Sequence, residues 1–325
     1  MKITFQKSIL GAVLLSVSIS IPLYATAQAW PANPIRLIVQ FPAGGAADTI
    51  TRVIAPPLAQ ALGQPVVVEN RPGADGAIAG EAVAKSAGDG YTFFMATTSA
   101  IAAVPAMRKS PPYDPLTAFT PIGKVGTFSY FAFTHSSVPA KTMVELIDYI
   151  RANPGKVNYA GATTTGIMAA VQLAGFAKLD MVRVPYKGEG PASVDLIGGR
   201  VQLMFGTPTN TLGAAKEGKL RVLATLLDKR SPVLPDVPTM PEANAPKLSI
   251  VPWAAFYGPP KLPSDIVARV NRELNAVLAR ADVRELIERQ VFDIQTSTPE
   301  ELGAYTREQV ESWKKAVADS GMPQE

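Results

Sequence analysis

Two loops built from small residues are the parts of this sequence best suited to chemistry. The first is Pro42–Asp48 (PAGGAAD) and the second is Tyr159–Gly166 (YAGATTTG). Each follows an apolar run and precedes a helical pattern, so each carries free backbone N–H groups whose partial positive charge attracts an anion. One such loop is weak evidence, because glycine is common in turns for steric reasons. Two loops, one in each half of the chain, predict a site that grips a carboxylate from both sides.

Side chains in and near these loops limit the class of ligand that the site could bind. Neither loop has the G-x-G-x-x-G or G-x-x-x-x-G-K-[ST] spacing, so no nucleotide is indicated. Asp48 either stabilises the first turn of its helix or accepts a hydrogen bond from a ligand or an ordered water. Thr163–Thr165 offer hydroxyls to a carboxylate and are equally suited to capping the next helix, and the two roles are compatible. Thr98 and Ser99 end a predicted strand beside the first loop, where we expect them to contact the ligand.

The sequence offers little for catalysis or for a metal. Its one histidine, His135, lies in an extended stretch and is interpreted as a surface or hinge residue. There is no cysteine, no G-x-S-x-G elbow and no H-E-x-x-H motif. The carboxylates have no spacing that marks a general acid and base working as a pair. We therefore predict a binding protein without cofactor or metal, and not an enzyme.

The N-terminus has the order of a cleaved secretory signal. Lys2 and Lys7 precede the apolar run Ile9–Leu23, which ends in Ala25–Ala29 (ATAQA). The alternative is a membrane anchor, but the run is shorter than the roughly 20 apolar residues that span a bilayer. We expect cleavage after Ala27 or Ala29. Without a cysteine at the junction the mature protein cannot be a lipoprotein, so we expect it free in the periplasm.

The composition of the chain excludes further classes of protein. The formal charge is +4, and removing the two signal lysines would leave +2. Basic residues are spread along the chain, whereas nucleic-acid binding needs a concentrated basic face. With 47% hydrophobic and 18% charged residues, the chain is typical of a globular protein that can bury a core without disulfides.

The order of elements predicts an α/β protein. Apolar β-rich runs alternate with helical patterns, which favours parallel sheets with crossover helices. We expect Pro56 and Pro57 to kink or divide the first helix. Phe128–Thr134 and Ile250–Tyr257 read as crossings between two α/β units, with the C-terminal helices completing the first. The predicted organisation is a signal peptide at 1–29, domain 1 at 30–130 plus 253–325, and domain 2 at 131–252.

Several longer stretches together carry a resemblance that covers nearly the whole mature chain. They include Ile38–Asp48 with Arg52, Val67–Gly76, Val184–Gly188, Asp195–Phe205 and, further on, Leu234–Pro241. In these stretches the chain resembles the Bug family, the periplasmic receptors of tripartite tricarboxylate transporters. The resemblance implies a type II-like periplasmic binding protein fold, in which two α/β domains joined by hinge strands close on a ligand. It also implies that Pro42–Asp48 and Tyr159–Thr165 grip ligand carboxylates, largely through backbone amides and bridging waters.

The sequence departs from the family pattern at the predicted site. Ala43 replaces a usual proline, and Thr163 and Thr165 stand at usual glycine positions. Ala169 stands about where a histidine is usual, and Gly206 where an aspartate is common. We interpret these changes as making a less polar pocket, open to an aromatic or otherwise bulky carboxylate.

The predicted function is an extracytoplasmic receptor that binds a small organic carboxylate, aromatic or dicarboxylic, and delivers it to the integral membrane subunits of a tripartite transporter. A ligand-sensing receptor of the same fold and an exported enzyme acting on a carboxylic acid are the alternatives. We expect a monomer. Trp253 and Tyr257 either line the cleft or pack as hinge aromatics. The predicted ligand-binding residues are Pro42, Ala43, Gly44, Gly45, Ala46, Ala47, Asp48, Thr98, Ser99, Tyr159, Gly161, Ala162, Thr163, Thr164, Thr165, Gly206 and Thr207.

Overall fold

Two β-sheets, each packed with helices, form the molecule. The computed structural model describes residues 30–231, 233–248, 250, 252–321 and 324. The predicted signal peptide lies outside these residues. The strands are β1 (Ile35–Val39), β2 (Val66–Asn70), β3 (Thr92–Thr97), β4 (Thr120–Phe128), β5 (Phe131–His135), β6 (Asn158–Gly161), β7 (Val182–Pro185), β8 (Leu203–Gly206), β9 (Leu220–Thr225), β10 (Trp253–Gly258) and β11 (Phe292–Ile294).

Ten α-helices accompany these strands in the described part of the chain. They are α1 (Ala46–Leu62), α2 (Ala77–Ala84), α3 (Val104–Met107), α4 (Met143–Ala152), α5 (Thr164–Ala177), α6 (Glu189–Ile197), α7 (Leu212–Lys216), α8 (Ser264–Ala279), α9 (Ala281–Glu288) and α10 (Pro299–Ser320).

The first sheet has six strands in the order β11-β4-β10-β3-β1-β2. Strands β1, β2 and β3 run parallel, and β10 pairs antiparallel with both β3 and β4. The C-terminal part of the chain therefore returns to complete this sheet, as the sequence predicts. We call the part of the molecule built on it the first domain.

Both faces of the first sheet are buried, because consecutive residues of its central strands enter different clusters. Phe93 and Phe256 pack in one cluster with α1 and α8, whereas Phe94 and Tyr257 pack in another with α2 and α10. A near-continuous apolar run such as that of β3 is typical of a strand that is buried on both faces of its sheet. This double cover holds the carboxyl ends of β1 and β3 rigidly at one edge.

The second sheet has five strands in the order β7-β6-β8-β5-β9. Strand β6 runs parallel to β7 and β8, and β5 pairs antiparallel with β8 and β9. We call the part of the molecule built on this sheet, with α4 to α7, the second domain. The two-domain α/β architecture agrees with the predicted fold class.

The crossing near Phe128 differs from the prediction. Phe128–Thr134 is not one extended segment: Phe128 ends β4 in the first sheet, Phe131 begins β5 in the second, and Ser129 and Tyr130 join them. The two crossings touch, since the Phe128 N–H donates to the Pro252 carbonyl at 2.8 Å. The division of the strands is compatible with the predicted domain boundaries at 130/131 and 252/253, which stay a prediction.

Of the two effects predicted for Pro56 and Pro57, a kink or a division of the first helix, the division does not occur. Helix α1 runs unbroken from Ala46 to Leu62 with Pro56 and Pro57 inside it. Its buried face, which includes Ile50, Ile54 and Leu58, packs on the first sheet on both sides of the prolines. Burial of that apolar face compensates for the hydrogen bonds that proline cannot donate.

Candidate functional site

A cavity lies between the two domains, at the point where three helices begin. It measures about 80 Å³, taken as the space that the centre of a water molecule can reach. A single water needs about 10–15 Å³ on this measure, so the cavity holds several waters or one compact organic molecule. The residues that line it are Phe41, Pro42, Ala43, Gly45, Ala46, Ala47, Thr97, Thr98, Ser99, Phe128, Tyr130, Thr163, Thr165, Gly188, Glu189, Gly190, Pro191, Thr207 and Pro252.

The first wall is the loop between β1 and α1. Gly44 adopts the left-handed region with φ +82°, which turns the chain so that Gly45 becomes the N-cap of α1. The first N–H groups of a helix have no partner within the helix, so those of Ala46 and Ala47 are available at the cavity. No side chain caps this helix start. The loop therefore presents bare backbone donors, as the sequence predicts.

The Asp48 side chain does not line the cavity; it lies on the far side of this loop and supports it. Its carboxylate accepts hydrogen bonds from the Gly44 N–H at 2.9 Å, from Nε of Arg52 at 2.9 and 3.0 Å, and from Nδ2 of Asn70 at 2.8 Å. The side chain is only 2% exposed. Burial raises the pKa of this carboxyl, but the hydrogen bonds from Arg52, Gly44 and Asn70 outweigh that effect and hold the pKa below its ordinary value. Asp48 thus positions the loop.

The second wall is the start of α5. Thr163 is the N-cap, and its hydroxyl accepts from the Gly166 N–H at 3.1 Å. The same hydroxyl lies 2.6 Å from the hydroxyl of Tyr130, which comes from the crossing between the domains. Thr165 also lines the cavity, and the N–H groups of Thr164 and Thr165 are free of helix partners. Thr163 therefore has the capping role and also lines the cavity, while donation of its hydroxyl to a ligand stays a prediction.

The third wall is the start of α6, which the sequence interpretation did not include. Gly188–Pro191 line the cavity, and α6 begins at Glu189, so Pro191 is the third helical residue. The Glu189 carboxylate accepts hydrogen bonds from the Tyr130 hydroxyl at 2.7 Å, from the Thr207 N–H at 3.2 Å and from the Thr207 hydroxyl. Burial raises the pKa of Glu189, an effect that these hydrogen bonds reduce but do not cancel.

The two domains touch directly around the cavity. The Thr164 hydroxyl donates to the Ser99 hydroxyl at 2.6 Å, across the interface. Gly188 lies against Pro42, since a Cβ on Gly188 would be 3.3 Å from Cδ of Pro42. Met168 of the second domain packs with Ala102 and Trp313 of the first. The cavity is therefore held in a closed arrangement.

Ten of the seventeen predicted ligand-binding residues line the cavity: Pro42, Ala43, Gly45, Ala46, Ala47, Thr98, Ser99, Thr163, Thr165 and Thr207. The other seven do not, for physical reasons. Gly44 and Asp48 form the support of the first loop. Tyr159, Gly161 and Ala162 are buried inside the second domain, and Thr164 is engaged with Ser99. Gly206 lies beneath Glu189, since a Cβ there would be 3.3 Å from its Oε1.

Trp253 and Tyr257 pack rather than line the cavity, which is one of the two alternatives that the sequence left open. Both are buried in the first domain with Phe94. Phe41, Phe128 and Tyr130 line the cavity instead. The start of α6 could have been predicted as part of the site from the same pattern as the first two loops. Its residues Gly188-Glu189-Gly190-Pro191 also follow a strand and begin a helix.

Neither a metal centre nor a membrane span is found in the described part of the chain. No group of three or more histidine, aspartate or glutamate residues there is arranged to hold a metal ion. None of the helices described is both long and apolar enough to cross a membrane.

Comparison with known proteins gives the family. Residues 50–322 match the model of the tripartite tricarboxylate transporter family receptor, TctC. The chain belongs to this receptor family. Protein BugT of Bordetella pertussis is 35% identical to the receptor over 326 residues, covering 99% of both chains. The family is one of solute receptors and not of enzymes.

Solved structures agree with this assignment. The periplasmic binding protein BugD is 30% identical to the receptor, with a TM-score of 0.86 over 91% of this chain and 100% of that one. The R. palustris protein Rpa4515, solved with adipate, is 30% identical, with a TM-score of 0.85 over 90% of this chain and 99% of that one. The receptor therefore shares the two-domain fold of periplasmic binding proteins.

Proposed function

We propose that this receptor binds a small organic carboxylate in the cavity between its domains and delivers it to the integral membrane subunits of a tripartite transporter. The observation that carries the proposal is the meeting of two donor sets, the backbone N–H groups at the starts of α1 and α5, across one cavity. Each set belongs to a different domain. An anion that bridges them binds the closed form better than the open one, which is the condition for ligand-gated closure.

The chemistry of the walls supports a carboxylate with an apolar body. Helix N–H groups neutralise an anion without a basic side chain, and no lysine, arginine or histidine is among the residues that line the cavity. Phe41, Phe128 and Pro252 supply apolar surface. A related receptor, Rpa4515, was solved with adipate, which is consistent with a carboxylate here. The sequence-based expectation of an aromatic or dicarboxylic acid stays a prediction, and the proposal itself commits only to a carboxylate.

A thermal-shift screen with organic acids tests the proposal. The mature protein is first unfolded and refolded to remove any ligand carried through purification. A ligand that binds only the native state stabilises it by about 2.7 kcal/mol at a concentration of 100 times its Kd. We expect a clear shift with one chemical class among monocarboxylates, dicarboxylates, tricarboxylates, amino acids and aromatic acids. Release of the ligand unchanged would separate a receptor from an enzyme, and the absence of any shift would overturn the proposal.

A further inference from the structure

Among the described residues that line the cavity, Glu189 is the one acidic or basic side chain. It is the first residue of α6, so its own negative charge lies at the positive end of that helix. The starts of α1 and α5 have no acidic side chain at the cavity, because the Asp48 carboxylate is turned to Gly44, Arg52 and Asn70. The cavity thus has an anion-attracting side at α1 and α5 and an anion-repelling side at α6.

The charge of Glu189 has no protein partner of opposite sign among the described residues. Its donors are the hydroxyls of Tyr130 and Thr207 and the Thr207 N–H, all of them neutral. None of the ion pairs formed by described residues includes Glu189. The Thr207 N–H is shared between the two carboxylate oxygens, so these neutral donors make four hydrogen bonds to Glu189 and supply no positive charge. A partly buried carboxylate without a counter-charge is costly, and a cation that reaches it removes that cost.

The distances allow one compact ligand to reach both sides. Tyr130 donates to Glu189 at 2.7 Å and is 2.6 Å from the Thr163 hydroxyl at the start of α5. The start of α5 and the Glu189 carboxylate are therefore separated by a single shared hydroxyl, a gap that a small amino acid can bridge. A second ligand carboxylate at the same place would instead lie against Glu189.

We propose that Glu189 determines the ligand class: the receptor selects a carboxylate that also carries an amino or other cationic group, and discriminates against a second carboxylate. This inference rests on the proposed function, since the ligand carboxylate is placed at the starts of α1 and α5. It narrows the ligand from any small organic acid to a zwitterion.

Four probes of equal carbon number test the inference: butyrate, succinate, 2-aminobutyrate and 4-aminobutyrate. Their dissociation constants are measured by calorimetry at neutral pH on refolded protein. We expect at least one of the two amino acids to bind at least ten-fold more tightly than both butyrate and succinate. In Glu189→Gln we expect that preference to shrink at least ten-fold, with succinate gaining relative to the amino acids. Glu217→Gln, an exposed position of the second domain paired with Lys219, is the matched control and should keep wild-type selectivity.

If Glu189→Gln does not fold, the relative affinities of the wild-type protein for the four acids still test the inference. Preference for succinate or butyrate over both amino acids overturns the inference, as does selectivity that Glu189→Gln leaves unchanged. Either result leaves a carboxylate receptor in place. Absence of binding by every acid in the wider screen is a different outcome and overturns the proposed function itself.

Discussion

The hydroxyl oxygens of Ser99 and Thr164 lie 2.6 Å apart although the two residues belong to different domains. Ser99 follows β3 of the first sheet, and Thr164 is the first residue of α5 on the second. Both side chains are buried. In the proposed closure mechanism this bond forms only when the domains come together, so we expect it to contribute to ligand affinity through the closed state.

Removing this bond should weaken ligand binding with little effect on the fold. We expect Thr164→Val to raise Kd about 2- to 10-fold, because a hydrogen bond contributes a net of about 0.5–1.5 kcal/mol. Calorimetry with the ligand found in the screen measures the change. Thr306→Val is the control: it also loses a buried hydroxyl, one bonded to Tyr257 and Leu302 within the first domain, and should lower stability without changing Kd. Equal affinity in wild type and Thr164→Val would contradict the role of the bond.

The two glycines of the first loop are not equivalent, and Gly45 gives the cleaner test of the anion site. Gly44 has φ +82°, where a β-branched residue is strained, whereas Gly45 is extended at φ −79° and faces the cavity. A Cβ at Gly45 meets only the Pro42 carbonyl oxygen, at 3.6 Å. We expect Gly45→Val to weaken ligand binding at least ten-fold because the side chain occupies the approach to the helix donors, and to cost about 1 kcal/mol of stability or less.

The control for that substitution is Gly175→Val. Gly175 lies on the exposed face of α5, where an added Cβ would meet no heavy atom within 4 Å, and it is not among the residues that line the cavity. Its variant should keep wild-type affinity. If Gly45→Val also kept wild-type affinity, the first loop would not hold the anion.

Asp48 should stabilise the protein in a pH-dependent way. Since its folded pKa lies below the ordinary value of 3.8, its contribution is fully present above that pH and is lost as the pH falls through the folded pKa. We expect Asp48→Asn to lower the free energy of unfolding at pH 7 by about 1.5–3 kcal/mol. The gap between the two proteins should narrow below pH 3.8 in urea titrations. Asp148→Asn removes an exposed ion pair with Arg151 and should change the free energy of unfolding at pH 7 by less than about 1 kcal/mol. A gap between Asp48→Asn and wild type that is independent of pH would refute the assignment.

Glu189 should have the opposite pH signature in the ligand-free protein. Its folded pKa is raised above 4.5, so the unfolded chain ionises first and the wild type loses stability as the pH rises above 4.5. We expect the unfolding free energy of Glu189→Gln, relative to wild type, to increase between about pH 4 and pH 7. Glu217→Gln should not show this rise, because Lys219 lowers the pKa of Glu217. A relative stability that stays flat over this range would show that burial does not disfavour the charged carboxylate.

Local sequence patterns predicted those parts of the fold and the site that depend on nearby residues. The alternation of β-rich runs and helical patterns predicted the α/β architecture, and the order of elements predicted that the C-terminal part returns to the first sheet. The glycine loops before α1 and α5 were recognisable because their backbone geometry is set by their own residues.

Features that depend on distant pairing were missed. Strand β11 has three residues and exists because Phe292 and Ile294 pair with β4, far away in sequence. The break after Phe128 separates two sheets, which no run of extended residues reveals. Glu189 resembles a solvated first-turn acid in the sequence, and its place in the cavity depends on Tyr130 and Thr207 from two other segments.

Tyr130 connects the ligand-binding cavity to the crossing between the two domains. It lies in the crossing between the sheets, its carbonyl accepts from the Leu226 N–H at 2.8 Å, and its hydroxyl reaches both Thr163 and Glu189. An evolutionary change of ligand that works through Tyr130, Thr163 or Glu189 therefore also changes the balance between the open and closed forms. We expect natural changes of ligand specificity to occur first at Phe41 and Ala43, on the opposite wall of the cavity. Substitutions at Tyr130, which would also affect the closure of the domains, should be rarer.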